Sequence, residues 1–153
     1  WNMNIAIAAD HAGKELKSYV IDFLTLTNHQ VLDYGVAADA STSVDYPDYA
    51  DIVASEVSAG RCERGILICG TGIGMCITAN KFPNVRAVVV TDEFSARMSR
   101  AHNDTNIICL GSRTINHQRA IDFVKIWLAA ECEEGRHRSR IVKINTIEKR
   151  LSQ

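Results

Sequence analysis

No apolar run in this chain approaches the roughly 20 residues that a membrane-spanning helix needs, and no charged-then-apolar leader opens it. A cytoplasmic protein with no membrane partner is the expectation. Excess charge of one sign is missing too: 17 Lys and Arg against 18 Asp and Glu leave a formal net charge of −1. That balance gives no general attraction to nucleic acid or anionic lipid, so an anionic substrate would need a local basic cluster. The cysteines, Cys62, Cys69, Cys76, Cys109 and Cys132, are odd in number and contain no C-x-x-C. They exclude a disulfide framework or a zinc site by spacing and fit reduced thiols. Linkers, repeats and low-complexity segments are absent, and 153 residues suffice for one hydrophobic core but not two ordinary ones. A single domain over residues 3–153 follows, with Trp1-Asn2 set aside as an appended remnant.

What is present is alternation. Apolar, β-branched runs at Asn4–Ala9, Val31–Tyr34, Gly65–Cys69, Arg86–Val90 and Asn106–Leu110 read as five strands. Between them lie helical patterns. Lys14 to Leu26 carries Leu16, Val20, Phe23 and Leu24 on one stripe. A second helix starts around Pro47 and stops at Gly60, others begin near Gly74 and Glu93, and one follows Asn116. A last helical segment spans about Ser139 to Leu151, and the polar stretch Ala38–Asp45 is the longest loop. Strands apolar on both faces with helical crossovers predict a three-layer α/β/α Rossmann-like domain with a five-stranded parallel sheet. The expected order is 2-1-3-4-5, which puts the ligand crevice beyond the carboxyl ends of strands one and three. The residues there are Asp10-His11-Ala12-Gly13 and Cys69-Gly70-Thr71-Gly72-Ile73-Gly74.

The second of these turns carries the chemistry. Alternate glycines let backbone approach a ligand, and a helix starting inside the turn aims free N–H groups at an anion, whether phosphate or a developing oxyanion. The same field favours an anionic sulfur on Cys69. Spacing rules out several familiar uses. There is no G-x-x-x-x-G-K-[ST] for a nucleotide phosphate, and the turn is G-x-G-x-G after strand three, not G-x-G-x-x-G after strand one. A C-x₅-R phosphatase would need Arg where Met75 stands. Read alone, the turn is also compatible with a tight structural bend over a core cysteine. Other polar groups point the same way: His102-Asn103 before strand five, able to pass a proton near neutral pH, and Arg113 just after it. The densest basic patch is Gly135-Arg136-His137-Arg138-Ser139-Arg140, where Arg136 and Arg140 share a face if the segment is helical. So late a segment reaches a partner subunit's cleft more easily than its own.

Taken together, Asp10-His11-Ala-Gly13, Asp45-Tyr-Pro47, Gly65–Gly74, Ala79-Asn-Lys81, His102–Asn106, Gly111-Ser-Arg113 and Gly135-Arg-His137 resemble the ribose-5-phosphate isomerase type B family, whose relatives include galactose-6-phosphate isomerase subunits. The resemblance implies an aldose-ketose isomerase that interconverts ribose 5-phosphate and ribulose 5-phosphate through an enediolate, without metal or organic cofactor. It implies Cys69 as the base, His102 as the aid to ring opening, and Thr71 at the substrate oxygens. Asp10, His11, the Gly70–Gly74 turn (Gly70, Thr71, Gly72, Ile73, Gly74) and Asn103 match substrate-binding positions, and Arg113, Arg136 and Arg140 phosphate-binding ones. It further implies a homodimer or dimer of dimers with a site completed across the interface, the segment 136–153 reaching the partner. Family members that lack the cysteine carry a glutamate near position 75; Met75 here supports the cysteine version. Glu134, where glycine is common, and Met75-Cys76, where Ile-Ser is frequent, are small departures. Rival readings are the same chemistry on allose 6-phosphate, galactose 6-phosphate or a tetrose phosphate, a non-catalytic phosphosugar-binding protein, and a purely structural domain.

Overall fold

A computed structural model describes residues 2–153; Trp1, half of the dipeptide set aside above, lies outside the described residues. The elements follow in the order β1 (Asn4–Ala9), α1 (Lys14–Leu26), β2 (Gln30–Asp33), α2 (Tyr46–Ser58), β3 (Arg64–Cys69), α3 (Ile73–Ala79), β4 (Ala87–Val89), α4 (Glu93–Asn103), β5 (Ile107–Gly111), α5 (His117–Ala129) and α6 (Arg136–Leu151). All strand pairs are parallel, and two helical layers cover the sheet. The two-residue period of a strand decides which layer each side chain meets. Ile5, Ile7, Ile66, Ile68, Ile108 and Leu110 pack with α1, α4 and α5. Ala6, Ala8, Leu67, Cys69, Ile107 and Cys109 pack with α2 and α3. Cys69 thus belongs to the α2–α3 face, and the alanines of β1 let Ala50, Val53 and Ala54 of α2 come close.

The strand order is β2-β1-β3-β5-β4, which corrects the expected 2-1-3-4-5. The reason lies in burial. All five residues of β5 are buried, whereas the three of β4 are only partly so. A strand buried throughout takes neighbours on both sides, and the short, wetter strand goes to the edge. Asn80 covers that edge: its Nδ2 donates to the Ala87 carbonyl (3.0 Å) and its Oδ1 accepts from the Ala87 amide (2.9 Å). The exchange has a functional consequence, because β5 now adjoins β3 and delivers the Gly111–Arg113 turn directly to Cys69.

Two further details position the cleft. Lys17, almost fully buried, donates from Nζ to Asp33 Oδ1 (2.6 Å) and to the Val36 carbonyl (2.7 Å), pinning the exit of β2 where the 38–45 loop begins; Lys14 reaches the Ala40 carbonyl. The last helix starts at Arg136, one turn earlier than the sequence pattern suggested, because Gly135 in the left-handed region (φ 78°) lets the chain turn into it.

Candidate active site

At the carboxyl edge, β1 and β3 end side by side, with Ala9 in register with Ile68. Asp10 is buried, and its Oδ1 accepts from the amides of Ala12 (2.9 Å) and Gly13 (3.2 Å), fixing the bend into α1. His11 Nδ1 accepts the Val44 amide (3.1 Å). Its other nitrogen is left as the donor of the neutral ring, and the imidazole is tied to the 38–45 loop. Beside them the Cys69 side chain, itself buried, accepts the Gly72 amide at Sγ (3.1 Å). Gly72 needs the glycine: its φ is 80°, and a Cβ there would meet the Leu110 and Cys109 backbone at 3.1–3.2 Å. Thr71, exposed, accepts the Ile73 amide at Oγ1 (3.3 Å). The Gly111–Arg113 turn closes the group: Ser112 donates to the Cys69 carbonyl (2.9 Å) and Arg113 to that of Gly70 (3.0 Å). The Arg113 guanidinium lies so close over Gly70 that an added Cβ would stand 3.3 Å from Nη1.

One residue here had no role in the sequence reading. The ring of Tyr46, first in α2, lies against Gly74, so any side chain at position 74 would overlap it. Asp45-Tyr-Pro47 was visible as a motif, but only the fold brings it over the turn.

His102, Asn103, Arg136 and Arg140 are elsewhere. Helices of a parallel α/β fold run opposite to the strands, so α4 ends at the amino edge. Ile107, which follows it, is in register with Gly65 at the start of β3. Cys69 lies four residues further along that strand, about 13 Å at strand rise. Within one chain His102 and Cys69 therefore face opposite ends of the sheet. The amino-edge group is compact. The rings of His102 and His137 stack at 3.9 Å with planes 2° apart. Glu133 Oε2 lies 3.4 Å from His137 Nε2 and 3.9 Å from His102 Nε2. The Glu133 amide donates to the Ala101 carbonyl (2.8 Å), docking the start of α6 on the end of α4. Arg136 and Arg140, four apart on α6, are exposed beside this cluster. Glu133, missed from sequence, stands four residues before His137, a spacing that could have flagged it.

His102, Glu133 and His137 have ligand atoms within 4.8 Å of one another. Stacked parallel rings, however, send their in-plane lone pairs along parallel lines, so one ion could not lie in both planes at metal–nitrogen distance. The trio is better suited to charge and proton handling. Burial, then the charge of His102, hold the His137 imidazolium below the ordinary histidine value of 6.5. The native state thus refuses a proton that the unfolded chain accepts, and stability should fall as pH drops below that value. The His137→Gln variant should show a shallower loss of Tm between about pH 7.5 and 5.5; slopes equal to those of the parent would exclude His137 as a contributor.

A family model described as Ribose/Galactose Isomerase matches residues 5–144. The chain belongs to the ribose/galactose isomerase family. It is 44% identical over 146 residues to the ribose-5-phosphate isomerase B of Escherichia coli, covering 95% of this chain and 97% of that one. The structure of Clostridium thermocellum ribose-5-phosphate isomerase B superposes with a TM-score of 0.93 at 48% identity, covering 97% of this chain and 99% of that one. That of the Mycoplasma genitalium enzyme with bound ribulose-5-phosphate gives 0.92 at 41% identity, with 95% and 96% covered. Membership establishes an aldose-ketose isomerase of the ribose-5-phosphate isomerase type. Among the described residues no helix is long and apolar enough to cross a membrane.

Proposed function

We propose that this isomerase interconverts ribose 5-phosphate and ribulose 5-phosphate, with Cys69 as the base. The observation that carries the base assignment is the Gly72 amide held 3.1 Å from Cys69 Sγ at the crevice formed by β1, β3 and β5. The sulfur, as thiolate, takes the C2 proton of the open-chain aldose, and the electrons move into the C1 carbonyl to give an enediolate. Returning the proton to C1 while O2 becomes the carbonyl gives the ketose. Amides of the Gly70–Gly74 turn support the oxyanion, and the exposed Thr71 hydroxyl relays the proton between O1 and O2. Asp10, His11 and Asn103 hold the sugar hydroxyls.

His102 assists the opening of the furanose ring, with Arg113, Arg136 and Arg140 on the phosphate. Since the two groups of residues lie on opposite edges of one sheet, the reading requires a homodimer in which His102 and Asn103 of the partner subunit, with Arg136 and Arg140 of the partner subunit, complete the site. His137 and Glu133 orient His102 in this scheme. The identity of the E. coli and M. genitalium relatives supports the five-carbon substrate.

The test is a panel of four-, five- and six-carbon aldose phosphates in chelator-treated buffer. Ribose 5-phosphate should have the highest kcat/KM, unchanged by chelator. A higher value for a tetrose or hexose phosphate would reassign the substrate, and binding without turnover of every member would leave a phosphosugar-binding protein.

A further inference from the structure

The amino edge carries a second feature that the isomerase reaction does not use. A cavity of about 580 Å³ opens where β1 and β3 begin and α1, α4 and α5 end. Its apolar wall is Met3, Phe23 and Leu128. Its polar wall is strongly basic, with Arg64, Arg100, Lys125 and Arg138 beside the acids Asp104 and Glu131; Arg138 also reaches Glu134 (3.5 Å) outside the lining. The volume and the mixture of an apolar wall with converging charges are those of a small-molecule pocket.

The arginines are poorly balanced. Asp104 is shared by three of them, Arg100 (2.7 Å), Arg86 (3.4 Å) and Arg138 (3.4 Å), and Glu131 is exposed. Arg100 is 6% exposed; its Nη1 donates to Asp104 and to the Thr105 carbonyl, yet its buried Nε has no acceptor among the described residues. Arg64 donates from Nη1 to the Glu63 carbonyl (2.8 Å), rests 6.0 Å from the Trp127 ring and also has an unpartnered buried Nε. Burial first, and then the charge of Arg100, push the Arg64 guanidinium down to about 10. Arginines do commonly gather at this edge to meet helix C-terminal carbonyls. That accounts for Arg86, which donates to the Asn103 and Asp104 carbonyls, and for one arm of Arg100. It does not account for Arg64, nor for two guanidinium N–H groups buried without partners.

We infer that this cavity is a binding site for a small organic anion, a carboxylate or phosphate monoester on a ring-sized apolar body. The charged end meets Arg64 and Arg100, and the body lies on Met3, Phe23 and Leu128. This inference does not depend on which sugar the enzyme isomerises.

The test uses benzoate and phenyl phosphate as probes, benzyl alcohol as the uncharged control, and amide NMR shifts of the intact protein at low salt. Both anions should shift the amides of Met3, Leu128 and Cys132 saturably, at least about tenfold more tightly than the alcohol. Arg64→Gln should weaken this about tenfold or more, while any phenyl phosphate shifts at Gly70–Gly74 stay as they were. Lys125→Glu, an exposed charge reversal that leaves the core alone, should weaken it in the same direction and covers the case in which Arg64→Gln does not fold. Equal affinity for the alcohol, shifts confined to the Gly70–Gly74 turn, no saturable shift, or no effect of Lys125→Glu would each overturn the site.

Discussion

Cys69→Ser is expected to lower kcat for ribose 5-phosphate by about 10³-fold or more while leaving sugar-phosphate affinity within about twofold. A positioned general base contributes about 10²–10⁴ in rate, and a serine hydroxyl at neutral pH does not replace a thiolate. Each factor of ten is about 1.4 kcal/mol of barrier, so a loss of this size exceeds anything a modest shift of the turn would produce. Serine is the informative substitution because it still offers an acceptor to the Gly72 amide, whose Cys69 contact is 3.1 Å; alanine would leave that buried N–H unpaired, at about 1–3 kcal/mol of stability. A second thiol provides the control. Cys76, half-buried on α3, is held down to about 7 by a hydrogen bond with Cys109 first, assisted by Val89 and Asn80 and opposed by burial. A low value does not by itself make Cys76 a base, which must also reach the proton it takes. Cys76 packs against the α2–α3 core beside Cys109, with its sulfur accepting from Asn80 Nδ2 (3.5 Å); among the described residues no turn amide donates to it, so Cys76→Ser should retain most activity. Steady-state kinetics with calorimetric binding to the Cys69→Ser enzyme checks both. A near-parental kcat for Cys69→Ser, or its collapse in Cys76→Ser, would move the base.

Much of this arrangement is legible in the sequence. Strands apolar on both faces, broken by amphipathic helices, specify a parallel sheet, because only burial on both sides explains runs such as Ile66-Leu67-Ile68. The position of Cys69 and Asp10 at the switch point follows from that topology alone. Strand order was not legible to the end. Arg86–Val90 and Asn106–Leu110 look alike as strings, and what separates them is that β5 is buried throughout and β4 half-wet. Tyr46 over Gly74 and Glu133 beside His102 are contacts between residues distant in sequence; only the four-residue step from Glu133 to His137 leaves a periodic trace. The buried Lys17 is similar: its partners, Asp33 and Val36, are ordinary residues until the exit of β2 is folded onto α1.

The separation of the two residue groups leads to the last expected result. If the carboxyl-edge group of one subunit works with the amino-edge group of its partner, Cys69→Ser and His102→Asn should each be nearly inactive as pure proteins, and mixing them with subunit exchange should restore activity. In a two-fold dimer the exchange gives heterodimers as half of the population. Each holds one doubly damaged site and one site with Cys69 and His102 both intact, so about a quarter of parental activity should return. His102→Asn is suitable because asparagine keeps a polar side chain at the end of α4, where Arg100 Nη1 donates to Asp104 Oδ1 at 2.7 Å. Recovery should fail if Cys69→Ser is mixed with an Arg113→Met chain, because both lesions then lie on the same edge, and the heterodimer has one damaged residue in every site. The assay is turnover of ribose 5-phosphate before and after exchange at fixed total protein. Activity that stays at the level of the separate variants would mean that each site is built within one chain, and the roughly 13 Å between the sheet edges would then have to be closed by a rearrangement of α4 instead of by a partner.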